Sequence, residues 1–271
     1  FEDDFVWNGR EFDEKRAEAR RAMIRTAEAT LSCKFDGEPL IVGTSGRYEF
    51  RNKGIDIFLD ALKQLAETDA LDREVLVYIT VPSATTGPRK DLQAHLADEN
   101  SPIDPKQNRF CTHYLEHPEW DQILNSIAGS VLANPSSKVK VVFVPTYLNG
   151  RDGIFDKSYY ELLVGMDMTL FPSYYEPWGY TPLESTAFSV PTLTTTLAGF
   201  GLWAGSQGEH EGVTLVARND DNYAEAAREI AKALLHFTKY TPQEVEIARN
   251  AAAELSRTAL WSELYAAYEK V

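Results

Sequence analysis

The sequence predicts an α/β fold built on a doubly wound, Rossmann-like parallel sheet. Three observations carry that reading. Stretches with apolar residues at helical spacing alternate with short apolar runs along the 271-residue chain. The runs, such as Val75-Leu76-Val77-Tyr78-Ile79-Thr80-Val81, are apolar at consecutive positions, as a strand covered on both faces requires. Two of them lead into loops crowded with glycine, proline, charge and aromatic rings, and the loops after strands are where open α/β sheets bind ligands.

Taken in order, residues 11–31 are rich in Ala, Glu and Arg and read as a helix, and residues 39–43 read as a short strand ending in glycine. A strand-to-loop transition follows over 43–54. From Ile55 the apolar residues Phe58, Leu59, Leu62 and Leu65 recur at helical spacing, and the run 75–81 completes a β-α-β unit. The stretch 82–120, polar and studded with proline, has no clear period and reads as an insertion on the rim of the sheet. The alternation then resumes with helices around 122–132 and 158–165 and strands at 139–144 and 168–171. A short helix begins after Thr181, strands follow at 192–195 and 213–216, and three helical stretches run from Asp221 to the C-terminus. No internal repeat or low-complexity tract interrupts this order, and the chain length leaves one large α/β domain or two small ones open.

Composition narrows the function. With 44% hydrophobic and 11% aromatic residues the chain can bury a large core. No apolar run approaches the roughly 20 residues that cross a bilayer, and the start, Phe1-Glu2-Asp3-Asp4, has neither a basic region nor an apolar core. A cytoplasmic protein with no membrane partner is expected. Cys33 and Cys111 are too few for a disulfide framework, which suits a reducing compartment. A net charge of -14 argues against nucleic acid as a partner and favours a neutral one such as a polysaccharide; any bound phosphate needs locally concentrated cations. The chain opens at Phe1 without an initiator methionine and reads as a fragment of a longer protein.

The loop Gly46-Arg47-Tyr48-Glu49-Phe50-Arg51-Asn52-Lys53-Gly54 carries three cations in seven residues between a buried strand and a helix. Its glycines permit close approach, and an arginine with a lysine can grip a diphosphate by a fork and a point charge. The same composition also describes a solvated charged turn. The second loop runs from Phe171 to Glu184. There Thr181 reads as an N-cap, Pro182 as the first helical residue and Glu184 as the third member of a capping box. Free N–H groups at that helix start can receive an anion, and Tyr174, Tyr175, Trp178 and Tyr180 can stack on a base or sugar, although capping and packing describe them too. Glu176 and Glu184 lie eight apart, but Pro177 and Pro182 preclude one continuous helix. Two carboxylates near one sugar suit a glycosidase. The cationic loop points instead to transfer from a nucleotide-sugar, whose diphosphate leaving group needs electrostatic stabilisation. A glycine-rich turn at 197–201 can approach the same place. Cys111, His113 and His117 lack a fourth ligand at suitable spacing, so no metal is assigned, and no Gly-x-Ser-x-Gly or Walker loop occurs.

Together the two loops resemble the animal and fungal glycogen synthases. Cys111-Thr112-His113, residues 139–148, residues 191–201 and residues 255–261 are similar to the same family in the same order. The resemblance implies that residues 1–271 form one domain, the C-terminal, donor-binding half of a GT-B-type glycosyltransferase with two Rossmann-like domains. It implies that Arg47 and Lys53, next to Gly46, hold the diphosphate, that Tyr180 stacks on the base and that the Thr181 N–H meets a phosphate. Glu184 would lie at the ribose, and Glu176 with Trp178 and Gly179 around the glucose. The reaction implied is metal-free, retaining transfer of glucose from UDP-glucose or ADP-glucose, UDP-glucose being preferred, to the 4-hydroxyl of an α-1,4-glucan. Arg47, Lys53 and Glu176 would be its catalytic residues, and a homo-oligomer of the full-length enzyme is compatible with the family.

Three departures qualify the resemblance. The stretch 82–109 is shorter than in eukaryotic members, which suggests a bacterial source. The arginine-rich helix through which relatives answer to glucose 6-phosphate is replaced by residues 241–250, with one arginine, Arg249, and two glutamates. An N-terminal acceptor domain is expected to be missing. Alternatives are another retaining nucleotide-sugar transferase, of the sucrose or trehalose-phosphate synthase kind, and a non-catalytic nucleotide-sugar-binding module.

Overall fold

The computed structural model describes residues 10–208 and 210–269, so the acidic start at Phe1 to Asp4 lies outside the described residues. Six strands form one parallel sheet: β1 (Leu40–Ser45), β2 (Val75–Thr80), β5 (Val139–Val144), β6 (Met168–Phe171), β7 (Thr192–Thr195) and β8 (Val213–Val216). Their spatial order is β5-β2-β1-β6-β7-β8. The chain winds outward from β1 to β5, then returns past β1 and winds the other way, so the direction reverses between β1 and β6. In open α/β sheets the crevice outside the carboxyl ends of the strands at such a reversal is where ligands bind.

Alternate residues of β1, β2 and β5 feed two cores. Leu40, Val42, Val75 and Val77 face α2 (Ile55–Ala66), α4 (Gln122–Ala128) and α8 (Tyr223–Phe237). Ile41, Leu76 and Tyr78 face α1 (Arg10–Leu31) and α5 (Tyr159–Leu163). Burial on both faces is why these strands read as unbroken apolar runs. At the amino ends of β1 and β6 the buried Asp167 accepts hydrogen bonds from Arg16 (2.5 Å), Arg20 (2.9 Å) and the Ile41 N–H (2.8 Å). Burial works to raise its pKa, but the two guanidinium groups hold the carboxyl below its usual range.

The segment 82–120 has more structure than its composition suggests. It contains β3 (Thr85–Pro88), α3 (Lys90–Ala97) and β4 (His113–Leu115), with β3 and β4 paired antiparallel. Cys111 bridges to Phe143 of β5, so the segment covers that edge of the sheet. These elements are too short to display a period. The expected helix over 122–132 is likewise divided, α4 giving way to a 3-10 turn at Val131–Ala133. The remaining helices are α6 (Tyr180–Ala187), α7 (Gly199–Ser206), α9 (Pro242–Arg257) and α10 (Trp261–Tyr268). Among the described residues no helix is long and apolar enough to cross a membrane.

Candidate functional site

The crevice is built from the loops after β1, β6, β7 and β8. The loop after β1 folds back on itself, with the Lys53 N–H donating to the Glu49 carbonyl at 2.8 Å, and then enters α2 through Gly54. Gly54 has φ +68, and a Cβ there would fall onto the carbonyl oxygen of Pro172 in the loop after β6. Only glycine lets the two backbones meet so closely. The Tyr174 N–H donates to the Asn52 carbonyl at 2.8 Å, which joins the loops a second time.

That junction brings Lys53 to Glu176. The Lys53 ammonium donates to a Glu176 carboxylate oxygen, and both side chains are largely shielded from solvent. Glu176 is held from behind by the loop after β7: its N–H donates to the Leu197 carbonyl (3.2 Å), and its carbonyl accepts from the Gly199 N–H (3.0 Å). Arg47 is not drawn into this pair. Its side chain is 75% exposed and paired with Glu49 at 3.0 Å. The stem of Lys53 runs beside Gly46.

The expected capping box at Thr181 does not form. Gly179, in a left-handed conformation with φ +108, turns the chain into α6 at Tyr180 and has no side chain to cap it. Thr181 and Pro182 therefore sit inside the first turn rather than at its start, and Glu184 lies too deep in the helix to reach back. The consequence favours ligand binding, because the first-turn N–H groups carry no side-chain cap. Tyr180 is 72% exposed at this helix start. Trp178 differs: its indole packs against Phe200 and Trp203 with ring centroids 6.1 and 5.8 Å away, so its ring anchors the loop. Glu184 is half-buried near Tyr160 of α5. Burial raises its pKa, and the nearby Tyr160 hydroxyl opposes that rise.

Sequence reasoning missed Arg218, two residues beyond β8. Its guanidinium is buried, donates to the Pro172 carbonyl and lies 5.2 Å from the Tyr174 ring, while its backbone and the Thr196 hydroxyl bond each other. It clamps the loop that carries Glu176. A single arginine after a short, half-exposed strand gave no pattern from which to infer this. Tyr159 and Tyr160 were also missed, hidden in what reads as an ordinary helix start. The candidate metal ligands do not converge: the His113 ring sits between the Thr112 hydroxyl (2.8 Å) and the Asp152 carbonyl (3.0 Å), whereas His117 stacks on Trp120. Among the described residues no group of His, Cys, Asp and Glu could hold a metal ion.

Comparison with known proteins gives the arrangement a context. A family model described as glycogen synthase matches residues 96–271. The chain is 28% identical over 296 residues to a glycogen [starch] synthase of Neurospora crassa, covering 87% of this chain and 42% of that protein. It is also 28% identical to the glycogen [starch] synthase of Caenorhabditis elegans, over 82% of this chain and 41% of the relative, and to the human liver glycogen [starch] synthase, over 85% and 40%. The chain thus spans about two fifths of the length of these relatives.

Proposed function

We propose that this chain, which belongs to the glycogen synthase family, is the donor-binding half of a retaining glucosyltransferase that takes glucose from a nucleoside-diphosphate glucose, UDP-glucose above all, to an α-1,4-glucan. The observation that carries the reading is the Lys53–Glu176 pair, set where the strand order reverses and beside the uncapped start of α6. In the structure the two charges neutralise each other. An arriving diphosphate offers Lys53 two negative groups in place of one, and Arg47 closes from the rim with its fork. The first-turn N–H groups of α6, that of Thr181 included, face the same anion, and the exposed ring of Tyr180 takes the base.

Once Lys53 turns to the phosphate, Glu176 is free to face the glucose that the backbone of Trp178 and Gly179 borders. The bond from the anomeric carbon to the diphosphate breaks, a bond to the acceptor 4-oxygen forms on the same face, and the acceptor proton passes to the departing phosphate oxygen. Glu176 stabilises the positive charge that develops at the anomeric carbon, while Lys53 and Arg47 stabilise the negative charge on the leaving group. The acceptor is held by a second domain facing this crevice.

Calorimetric titration of the chain with UDP and UDP-glucose tests the donor site. With one wall of the cleft, binding is expected between micromolar and millimolar. Lys53→Ala should weaken it by at least ~1.5 kcal/mol, the scale of a charge-assisted hydrogen bond. An unchanged affinity would remove Lys53 from the phosphate site, and tighter binding of ADP-glucose would overturn the choice of base.

A further inference from the structure

We propose that Arg218, which lies outside the donor contacts described above, is a positioning residue for the donor's sugar: from the loop after β8 its guanidinium fixes the loop after β6, and so sets where Glu176 meets the glucose. The inference rests on the donor-site reading above, in which Lys53 holds the diphosphate and Glu176 faces the glucose.

Arg218 is anchored before it reaches across. Its N–H donates to the Thr196 hydroxyl at 3.0 Å, and that hydroxyl donates to its carbonyl at 3.3 Å. The Thr196 N–H donates to the Val216 carbonyl at 3.1 Å, so the loop after β8 is tied to the end of β7. From that base the buried side chain passes the end of β7 and reaches the loop after β6. Nη1 donates to the Pro172 carbonyl, and the guanidinium carbon lies 5.2 Å from the centre of the Tyr174 ring. The Pro172 carbonyl is the group on which the loops after β1 and β6 meet at Gly54, and a Cβ at Gly54 would also lie 3.1 Å from Arg218 Nη1. One guanidinium therefore stands where three loops join.

The segment that leads to Glu176 is held step by step. The Ser173 carbonyl accepts from the Thr195 hydroxyl at 2.8 Å, the Tyr174 N–H donates to the Asn52 carbonyl at 2.8 Å, and the Tyr174 hydroxyl donates to Asp220. Arg218 grips two members of this segment at once, the Pro172 carbonyl and the Tyr174 ring. Burying a cation costs more than burying a neutral side chain of the same size, so packing alone does not call for arginine here. A guanidinium offers an in-plane N–H to the carbonyl and a flat face to the ring together, which an ammonium cannot. With that grip loosened, Glu176 keeps its backbone bonds to the loop after β7 but loses the support between Pro172 and Tyr174 that sets its distance from Lys53.

Titration of the chain with UDP and with UDP-glucose, combined with amide hydrogen exchange, tests this. Arg218→Lys keeps the charge but loses the flat face and the fork. It should quicken exchange at the Tyr174 and Glu176 N–H groups by about tenfold. It should leave UDP binding within about twofold and weaken UDP-glucose by about tenfold, the equivalent of one hydrogen bond to a charged group. Arg218→Met, which removes the buried charge, should do the same, so a lysine variant that fails to fold leaves the test intact. Glu176→Ala should also lower the affinity for UDP-glucose relative to UDP. If Glu176→Ala lowers that ratio and neither Arg218 variant does, the positioning role is wrong and the donor reading stands. Equal losses for UDP and UDP-glucose in the Arg218 variants would overturn the role too, because the guanidinium would then be supporting the fold at large. So would unchanged exchange at Tyr174 and Glu176. A ratio that Glu176→Ala does not move removes Glu176 from the glucose, and with it the sugar assignment itself.

Discussion

In the donor site proposed above, Lys53 and Glu176 compete with the ligand as well as serve it. Any diphosphate that reaches Lys53 must first displace the Glu176 carboxylate, and a partly shielded ion pair costs about 0.5–1 kcal/mol to break. Glu176→Gln should therefore bind UDP about two- to fivefold more tightly than the unmodified chain, with a smaller gain for UDP-glucose, whose sugar loses its partner. A weaker binding of UDP would mean that Glu176 holds Lys53 in place rather than holding it back. Glu184 poses the opposite problem, a carboxylate whose burial raises its pKa. Below the ordinary carboxylate range Glu184 is neutral in both folded and unfolded chains; as pH rises through its elevated folded value, ionisation in the half-buried site costs stability. Glu184→Gln should melt at a higher temperature than the unmodified chain at pH 7, with the difference vanishing below about pH 4. An equal gap at both pH values would show that the substitution acts through packing.

At the scale of elements, two glycines decide whether the loops meet. Gly54→Ala places a Cβ on the Pro172 carbonyl at a residue already in the left-handed region, so the loops after β1 and β6 must separate. We expect a loss of about 3 kcal/mol or more in chemical denaturation, from backbone strain together with steric overlap, and a loss of UDP binding out of proportion to it. A loss under about 1 kcal/mol would mean that the junction yields easily. Strands β1, β2 and β5 were legible because burial on both faces leaves nearly unbroken apolar runs, and β5, β6, β7 and β8 match their expected bounds. The loops were legible as a place but not as a geometry. Nothing in the order of residues 176–184 distinguishes a helix capped by Thr181 from one entered through Gly179, since both place a good helix start within two residues of Pro182. The left-handed turn at Gly179 wins, and the N–H groups that a capping side chain would have taken stay open. Arg218 and Tyr160 act across the fold, through contacts that join elements far apart in sequence, and no local pattern announces such a contact.

Over the whole molecule a net charge of -14 repels phosphate except where cations gather. One gathering is the loop 46–54. The other lies at the opposite end of the sheet, where Arg249 of α9 joins Arg16 and Arg20 of α1. Arg249 is the one arginine of the stretch 241–250, beside two glutamates, but the structure turns it inward over the Phe12 ring at 4.9 Å, and burial first, then Arg16, lower its pKa to about 9. Its Nη2 is buried without a hydrogen-bond partner. Three guanidinium groups at one corner would be a seat for a sugar phosphate, were an anion not built in: Asp167 already takes Arg16 and Arg20 and holds the start of β1 as well. A phosphate entering there would have to displace a carboxylate that is part of the sheet's support. Glucose 6-phosphate at about 10 mM, binding at ~0.1 mM, would stabilise the chain by about 2.7 kcal/mol and raise its melting temperature by on the order of 5 °C. We expect a shift below about 1 °C, because Asp167 outcompetes the effector. A rise of several degrees that Arg249→Ala abolishes would show instead that the unpartnered guanidinium is an open anion site.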